Sequence, residues 1–305
     1  MPPVVSSRVR PLLPFVLLAL AMAPQARAGA TTPPEPVMKM RGGMMVLVDQ
    51  APVGEAAAGA SRADQPPPAK PATLVATGWS FEPNIPGAQV GNGFTSVATL
   101  GDVNGDGYSD FAVGAPNYVN GQIDEGAVDV FYGAAGGPPI TPSWQFESDA
   151  PFAYLGATVA PAGDVNGDGY ADLIVGAPGL TQGLAGEGKA YVFLGGPAGL
   201  AATPAWSAVG GQAGASFGTC VATAGDVNGD GYDDAIVGAN GFDNGLFDRG
   251  KAFVYLGSAA GLAVSPAWTY EGPGQGDGFG WSVATAGDVN GDGFADVLVA
   301  SRFND

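Results

Sequence analysis

From about residue 73 onward the chain alternates between short apolar runs and clusters of Gly, Pro, Asn and Asp. Phe111-Ala112-Val113, Leu173-Ile174-Val175, Ala235-Ile236-Val237 and Val297-Leu298-Val299 are unbroken apolar runs that end near Gly or Pro. Runs of this length and bounding predict buried strands. Another strand precedes each run, as at 219–224, and an alternating segment opened by Gly follows it, at 127–132, 189–194 and 251–256. A fourth strand carries a tryptophan: Trp144, Trp206 and Trp268. A tryptophan recurring once per unit reads as core packing. No stretch carries a helical period. The pattern predicts an all-β chain in which each unit is one four-stranded sheet. Such sheets arrayed radially are the blades of a β-propeller.

The units repeat at a fixed interval. Asp102, Asp164, Asp226 and Asp288 open four near-identical stretches, each 62 residues after the last, and the tryptophans keep the same spacing. Trp79 matches them ahead of the first stretch, with three extra residues before Asp102. Invariant spacing of this kind means repeated units of one architecture.

Each stretch places oxygen-bearing side chains at loop positions 1, 3, 5 and 9, and a residue at position 7 whose backbone carbonyl can join them. These are Asp102, Asn104, Asp106, Tyr108 and Asp110; Asp164, Asn166, Asp168, Tyr170 and Asp172; Asp226, Asn228, Asp230, Tyr232 and Asp234; and Asp288, Asn290, Asp292, Phe294 and Asp296. All are hard oxygen donors, with no sulfur or imidazole among them, a set that suits Ca²⁺. Glycines such as Gly167 and Gly169 permit the positive φ of a sharp loop. The predicted cofactor is Ca²⁺, at about four sites.

An EF-hand would place a bidentate Glu at position 12, where the chain has Val113, Val175, Val237 and Val299. The loop therefore joins two strands, and the aspartate at position 9 is expected to supply the bidentate contact. The plainer alternative is that Asn-Gly and Asp-Gly only make hairpin turns. A turn does not need three aspartates and an asparagine converging four times over.

These residues resemble FG-GAP repeats, the units of the integrin α-subunit N-terminal propeller. Phe217-Gly218 and Phe279-Gly280 (Leu155-Gly156 in the second unit) match the first half of the motif. Gly114-Ala115-Pro116 and Gly176-Ala177-Pro178 match the second half, and the aspartate-rich loop between them matches the family's calcium hairpin. The resemblance covers roughly 73–305. Departures are Gly93-Phe94 in the first unit, Gly238-Ala239-Asn240 in the third and Ala300-Ser301-Arg302 in the fourth. The resemblance implies seven blades, whereas three full units and half of a fourth are present. The simplest expectation is a partial sequence; a closed four-bladed ring completed by strands near Val48 and Trp79, or by assembly of copies, is the alternative.

The N-terminal part is different. Arg8 and Arg10, an apolar stretch at 12–22 and the small-x-small site Ala26-Arg27-Ala28 predict a secretory signal peptide over 1–28, with Ala21-Met22-Ala23 as an alternative cleavage site. Residues 29–72 are rich in Ala, Pro and Gly and read as a largely disordered linker, with 44–48 as one isolated strand. No stretch is long and apolar enough for a membrane helix.

The net charge of −18 changes the picture only in part. Twelve of the 29 acidic residues lie at loop positions 1, 5 and 9, and four bound Ca²⁺ would bring the charge to −10. With 11 Lys and Arg the chain has no footprint for nucleic acid or an anionic membrane. Cys220 is alone, so no internal disulfide forms, and it reads as a buried inert thiol. The absence of histidine removes the usual general base and any Ser-His-Asp or Cys-His arrangement, so no enzyme is expected.

Antiparallel order puts the calcium loops on one face and the loops at 117–125, 179–187 and 241–249 on the other. The second set differs from unit to unit, as a binding surface on a repeated scaffold does. Tyr118, Phe242, Phe247 and Arg249 are its candidate contacts. The expected function is a secreted or cell-surface calcium-stabilised propeller for binding or adhesion, its partner a protein or glycan. The alternatives are a non-catalytic part of a larger secreted hydrolase and a structural cell-surface component.

Overall fold

The computed structural model describes residues 96–302, together with the backbone of three N-terminal strands, β1 (Val16–Leu20), β2 (Val37–Arg41) and β3 (Met44–Val48). Trp79, Gly93-Phe94 and, apart from these strands, the leader and linker segments lie outside the described residues. Every element from residue 96 on is a strand. The first unit holds β4 (Val97–Gly101), β5 (Asp110–Ala115), β6 (Ala127–Phe131) and β7 (Trp144–Glu147). The second holds β8 (Thr158–Gly163), β9 (Asp172–Ala177), β10 (Lys189–Phe193) and β11 (Trp206–Val209). The third holds β12 (Phe217–Gly225), β13 (Asp234–Ala239), β14 (Lys251–Tyr255) and β15 (Trp268–Glu271). The fourth unit contributes β16 (Ser282–Gly287) and β17 (Asp296–Ser301).

Each full unit is an antiparallel four-stranded sheet in sequence order, so the predicted blades are present: three complete and one of two strands. The first strands β4, β8, β12 and β16 lie side by side, which makes them the inner strands of a partial β-propeller. In the two-strand unit β1 pairs antiparallel with β17, and β3 and β2 follow. In the full chain β1 thus pairs with the edge of β17, and it falls within the segment that the sequence reads as a leader.

The core lies between blades. Leu173, Val175, Ala177, Tyr191 and Phe193 of the second blade join Leu100, Val128 and Val130 of the first in one cluster. Ile174, Ala190 and Val192, one residue out of phase, turn the other way into the cluster shared with the third blade. Side chains alternate across a strand, so a strand covered on both faces is apolar throughout. That is why β9 and β13 are buried along their whole length and read as unbroken runs, while the outer strands are only half covered.

Two devices join neighbouring blades at the same 62-residue interval. Gly114 and Gly156 meet backbone to backbone, as do Gly176 with Gly218 and Gly238 with Gly280. A methyl group on Gly176 would stand 2.1 Å from the Gly218 carbonyl oxygen, so only glycine permits the approach. The recurring tryptophan makes the second tie. Trp144 Nε1 donates to the Ala201 carbonyl at 3.1 Å and Trp206 Nε1 to the Ala263 carbonyl at 2.9 Å. The rings meet Phe193 and Tyr255 edge-on at 4.8 Å. Trp206 is buried and Trp144 and Trp268 are half-buried.

Candidate functional site

The four acidic loops sit between the first and second strands of their units. A register shift ends each first strand at Gly101, Gly163, Gly225 and Gly287, and these glycines pair with Asp110, Asp172, Asp234 and Asp296. The shift is a bulge that turns the chain into the loop, and the pairing holds positions 1 and 9 next to one another.

Within each loop the position-1 aspartate acts as a hub. Asp102 Oδ1 accepts the N–H groups of Gly105 at 2.7 Å and Asp106 at 3.1 Å, and Oδ2 accepts that of Gly107 at 2.8 Å. Asn104 Nδ2 donates to Asp106 Oδ2 at 3.0 Å, and Asp106 Oδ1 accepts the Tyr108 N–H at 2.9 Å. The bond from the position-6 N–H to position 1 measures 2.8, 2.8, 2.8 and 2.9 Å in the four loops. Four loops therefore share one geometry.

Position 9 is the buried member. Asp110, Asp172, Asp234 and Asp296 are all buried at the start of their second strands. Asp110 Oδ2 accepts the Val103 N–H at 2.9 Å and Oδ1 that of Gly133 at 2.7 Å. Burial pushes the carboxyls of Asp172 and Asp234 up to about 7 against these N–H bonds, helped by the neighbouring loop aspartates. The Asp110 and Asp296 carboxyls move the same way, again first through burial. At position 1 the balance differs. Burial raises the Asp102 carboxyl, but four backbone N–H groups outweigh it and hold it below the usual range. The Gly293 N–H leads the same lowering at Asp288.

Positions 1, 3, 5 and 9 of every loop are thus gathered around one turn, and their donor chemistry fits a hard divalent cation. Among the described residues, however, three carboxylates come within 4.8 Å of one another only at Glu125, Glu147 and Asp149, on the opposite face. The loop aspartates stand further apart.

Position 7 has a use that the sequence pattern did not reveal. The Tyr170 ring lies over Gly105 of the preceding loop, where a methyl group would stand 2.6 Å from Cε1. Tyr232 covers Gly167 and Phe294 covers Gly229 in the same way, whereas Tyr108 is exposed. Loops also touch through backbone: the Ala171 N–H donates to the Asp102 carbonyl at 3.1 Å and the Ala295 N–H to the Asp226 carbonyl at 2.9 Å. Asp233, at position 8, adds a carboxylate bond to the Asp164 N–H at 2.9 Å. The aromatic at position 7 of every loop was the available signal for this contact.

The opposite face is assembled differently in each blade. Tyr118 is buried and donates its hydroxyl to Glu147 Oε1 at 3.2 Å. Phe242 rests against Phe253 with the Lys251 ammonium 4.6 Å from its ring. Arg249 pairs with Glu271 at 3.5 Å. Of the four candidate contacts only Phe247 stands clear, 65 % exposed, with Ile123, Leu184 and Leu246 also exposed on these loops. Cys220 is buried as expected, its thiol donating to the Val283 carbonyl and raised by burial.

The FG-GAP repeat family model matches residues 94–131 and 155–193, and the FG-GAP-like repeat model matches 226–299. Similar curated proteins are integrin alpha subunits. Integrin alpha-IIb of Mus musculus is 38% identical over 157 residues, covering 49% of this chain and 15% of that protein. Integrin alpha-5 of Xenopus laevis is 31% identical over 192 residues, 60% of this chain and 18% of that protein. Integrin alpha-V of Gallus gallus is 36% identical over 181 residues, 56% and 17% respectively. The chain spans less than a fifth of the length of these relatives. An exotype rhamnogalacturonan lyase superposes with a TM-score of 0.42 at 19% identity, over 67% of this chain and 38% of that one, too low to bear on function. Among the described residues no helix is long and apolar enough to cross a membrane.

Proposed function

Because the chain is built of FG-GAP repeats, we propose that it is a calcium-stabilised propeller module, exported from the cell, that binds a protein or glycan. The observation that carries this reading is the fourfold loop geometry, with a buried aspartate at position 9, an exposed one at position 5 and, at position 1, one more accessible than position 9, around an asparagine in each copy. Asp102, Asn104, Asp106 and Asp110, and their counterparts in the other three loops, would hold the ion. Its charge would offset carboxylates that otherwise repel one another, and so favour the folded state. Because the Asp102 and Asp226 carbonyls accept N–H groups of the next loop, stiffening one loop also stiffens its neighbour.

The partner would engage the face opposite these loops. Its three loops differ in sequence and carry the exposed apolar side chains Ile123, Leu184, Leu246 and Phe247. No catalytic role is assigned, since the chain has no histidine and its clustered loop carboxylates are committed to the metal. Export would follow from the leader at 1–28, and N-terminal sequencing of the exported protein should begin near Gly29.

The test is the number of ions bound. Titration of the metal-stripped chain with Ca²⁺ should lose one ion with Asp164→Asn and a different one with Asp226→Asn. Equal binding by wild type and both variants would remove the loops from the account.

A further inference from the structure

The first blade carries a group of acids that the loop reading does not use. Glu125 ends the loop between β5 and β6, Glu147 ends β7, and Asp149 follows it. One oxygen of each lies within 4.8 Å of the other two. Glu125 is fully buried. Its Oε1 accepts the Asn120 N–H, while its Oε2 is buried with no hydrogen-bond partner. A buried carboxylate oxygen without a partner is strongly unfavourable, and two further carboxylates beside the same group make it more so.

The repeat supplies an internal comparison. At the 62-residue interval Glu125 corresponds to Glu187 and Arg249, Glu147 to Val209 and Glu271, and Asp149 to Gly211 and Pro273. In the second blade a single acid remains, and Glu187 Oε1 accepts three backbone N–H groups, from Gln182, Gly183 and Leu184. In the third blade a guanidinium stands where Glu125 does: Arg249 pairs with Glu271 at 3.5 Å, and Lys251 adds a second contact at 3.2 Å. The first blade keeps the acid of the third and adds two more, yet no Lys or Arg occurs anywhere between residues 71 and 188. Among the described residues no ion pair reaches these three acids, whereas Glu271 of the third blade has two.

We propose that Glu125, Glu147 and Asp149 bind a divalent cation, Ca²⁺ by its chemistry, on the face opposite the four acidic loops. The donors are all hard oxygens. Ca²⁺ takes six to eight oxygens in a flexible shell, whereas Mg²⁺ demands near-ideal octahedral geometry and keeps several waters, so an irregular all-carboxylate group suits Ca²⁺ better. A partner's basic side chain is the poorer occupant, because Glu125 is fully buried and its Oε2 is not exposed at the surface. The existing hydrogen bonds hold the ligands in place. Tyr118 and Asn120 donate to Glu147 at 3.2 and 2.9 Å, and Ser148 Oγ donates to the Glu125 carbonyl at 2.6 Å. That same carbonyl accepts the Leu155 N–H of the second blade, so the ion would fix the 117–125 loop against both β7 and the neighbouring blade.

The site is independent of the loop reading and is tested apart from it. Bound Ca²⁺ per full-length chain is counted by equilibrium dialysis at millimolar concentration for wild type, Glu125→Arg, Asp149→Asn and the control Glu187→Gln. Glu125→Arg should bind one ion fewer than wild type, whatever total the loops contribute. Its melting temperature in EGTA should equal or exceed that of wild type, because the guanidinium does for Glu147 what Arg249 does for Glu271. Asp149 is exposed, so Asp149→Asn keeps the fold, and it should weaken one ion by about tenfold. Glu187→Gln should change nothing. An unchanged count and affinity in folded Asp149→Asn, or in folded Glu125→Arg, overturns the proposal and leaves Glu125 Oε2 to a water.

Discussion

Asp129 shows how much one buried carboxyl matters outside the acidic loops. It lies on β6 with Gln145 Nε2 donating to Oδ1 at 2.8 Å. Burial pushes it up from 3.8 to about 6; the Gln145 bond opposes this and the Glu147 charge adds to it. Below pH ~4 the folded and unfolded chains both hold the proton, so Asp129 is neutral in its effect. Between pH ~4 and ~6 the unfolded chain releases it first, and the penalty on folding grows with pH until it is complete above ~6. Asp129→Asn keeps the acceptor for Gln145 and should raise the melting temperature at pH 7.5 while leaving it unchanged near pH 4. An equal effect at both values would mean that Asp129 is charged and satisfied. Glycine tests the blade contact at the same scale. Gly176→Ala drives a methyl group against the Gly218 carbonyl and should cost more than about 2 kcal/mol by urea unfolding. Gly137→Ala, with φ +90 and open space around it, should cost only about 1 kcal/mol.

Among the elements, the strands most easily read from the sequence were those buried on both faces. β9 and β13 are apolar runs because both neighbours cover them, and β7, β11 and β15 were found through their tryptophans. The loops were equally legible, since oxygen side chains at alternating positions are a local pattern. What the pattern hid lies between units. The position-7 aromatics were read for their carbonyls, yet Tyr170, Tyr232 and Phe294 cover the glycine of the previous loop, a contact across 65 residues of chain. Tyr118, Phe242 and Arg249 looked like surface contacts because their loops are polar, but each is held by a side chain of its own blade. The Glu125 cluster was missed because its members are up to 24 residues apart in the chain. The tryptophan tie gives a test at this scale. Trp206→Phe preserves the ring packing on Tyr255 but removes the bond to the Ala263 carbonyl, and should cost about 1 kcal/mol. A cost near zero would mean that the indole N–H is as well served by water.

At the scale of the whole molecule, each blade completes its core only against the next. The valine at loop position 2 records this directly: Val103, Val165 and Val227 are at most 2 % exposed, but Val289 in the last loop is 66 % exposed. Stability therefore accumulates from interfaces between units, as in other repeat architectures, and the acidic loops lie along those interfaces. If each loop holds Ca²⁺, the ions should stabilise the array as a whole. The most direct measurement is thermal unfolding of the full chain, followed by tryptophan fluorescence in EGTA, in millimolar Ca²⁺ and in Mg²⁺. Four sites held at about ten times their dissociation constants should raise the midpoint by on the order of 10 °C in Ca²⁺. Mg²⁺ should do much less, and Asp168→Ala should remove about a quarter of the gain. The same midpoint in EGTA and Ca²⁺, with a folded circular-dichroism spectrum in both, would contradict the account and reduce the four loops to turns.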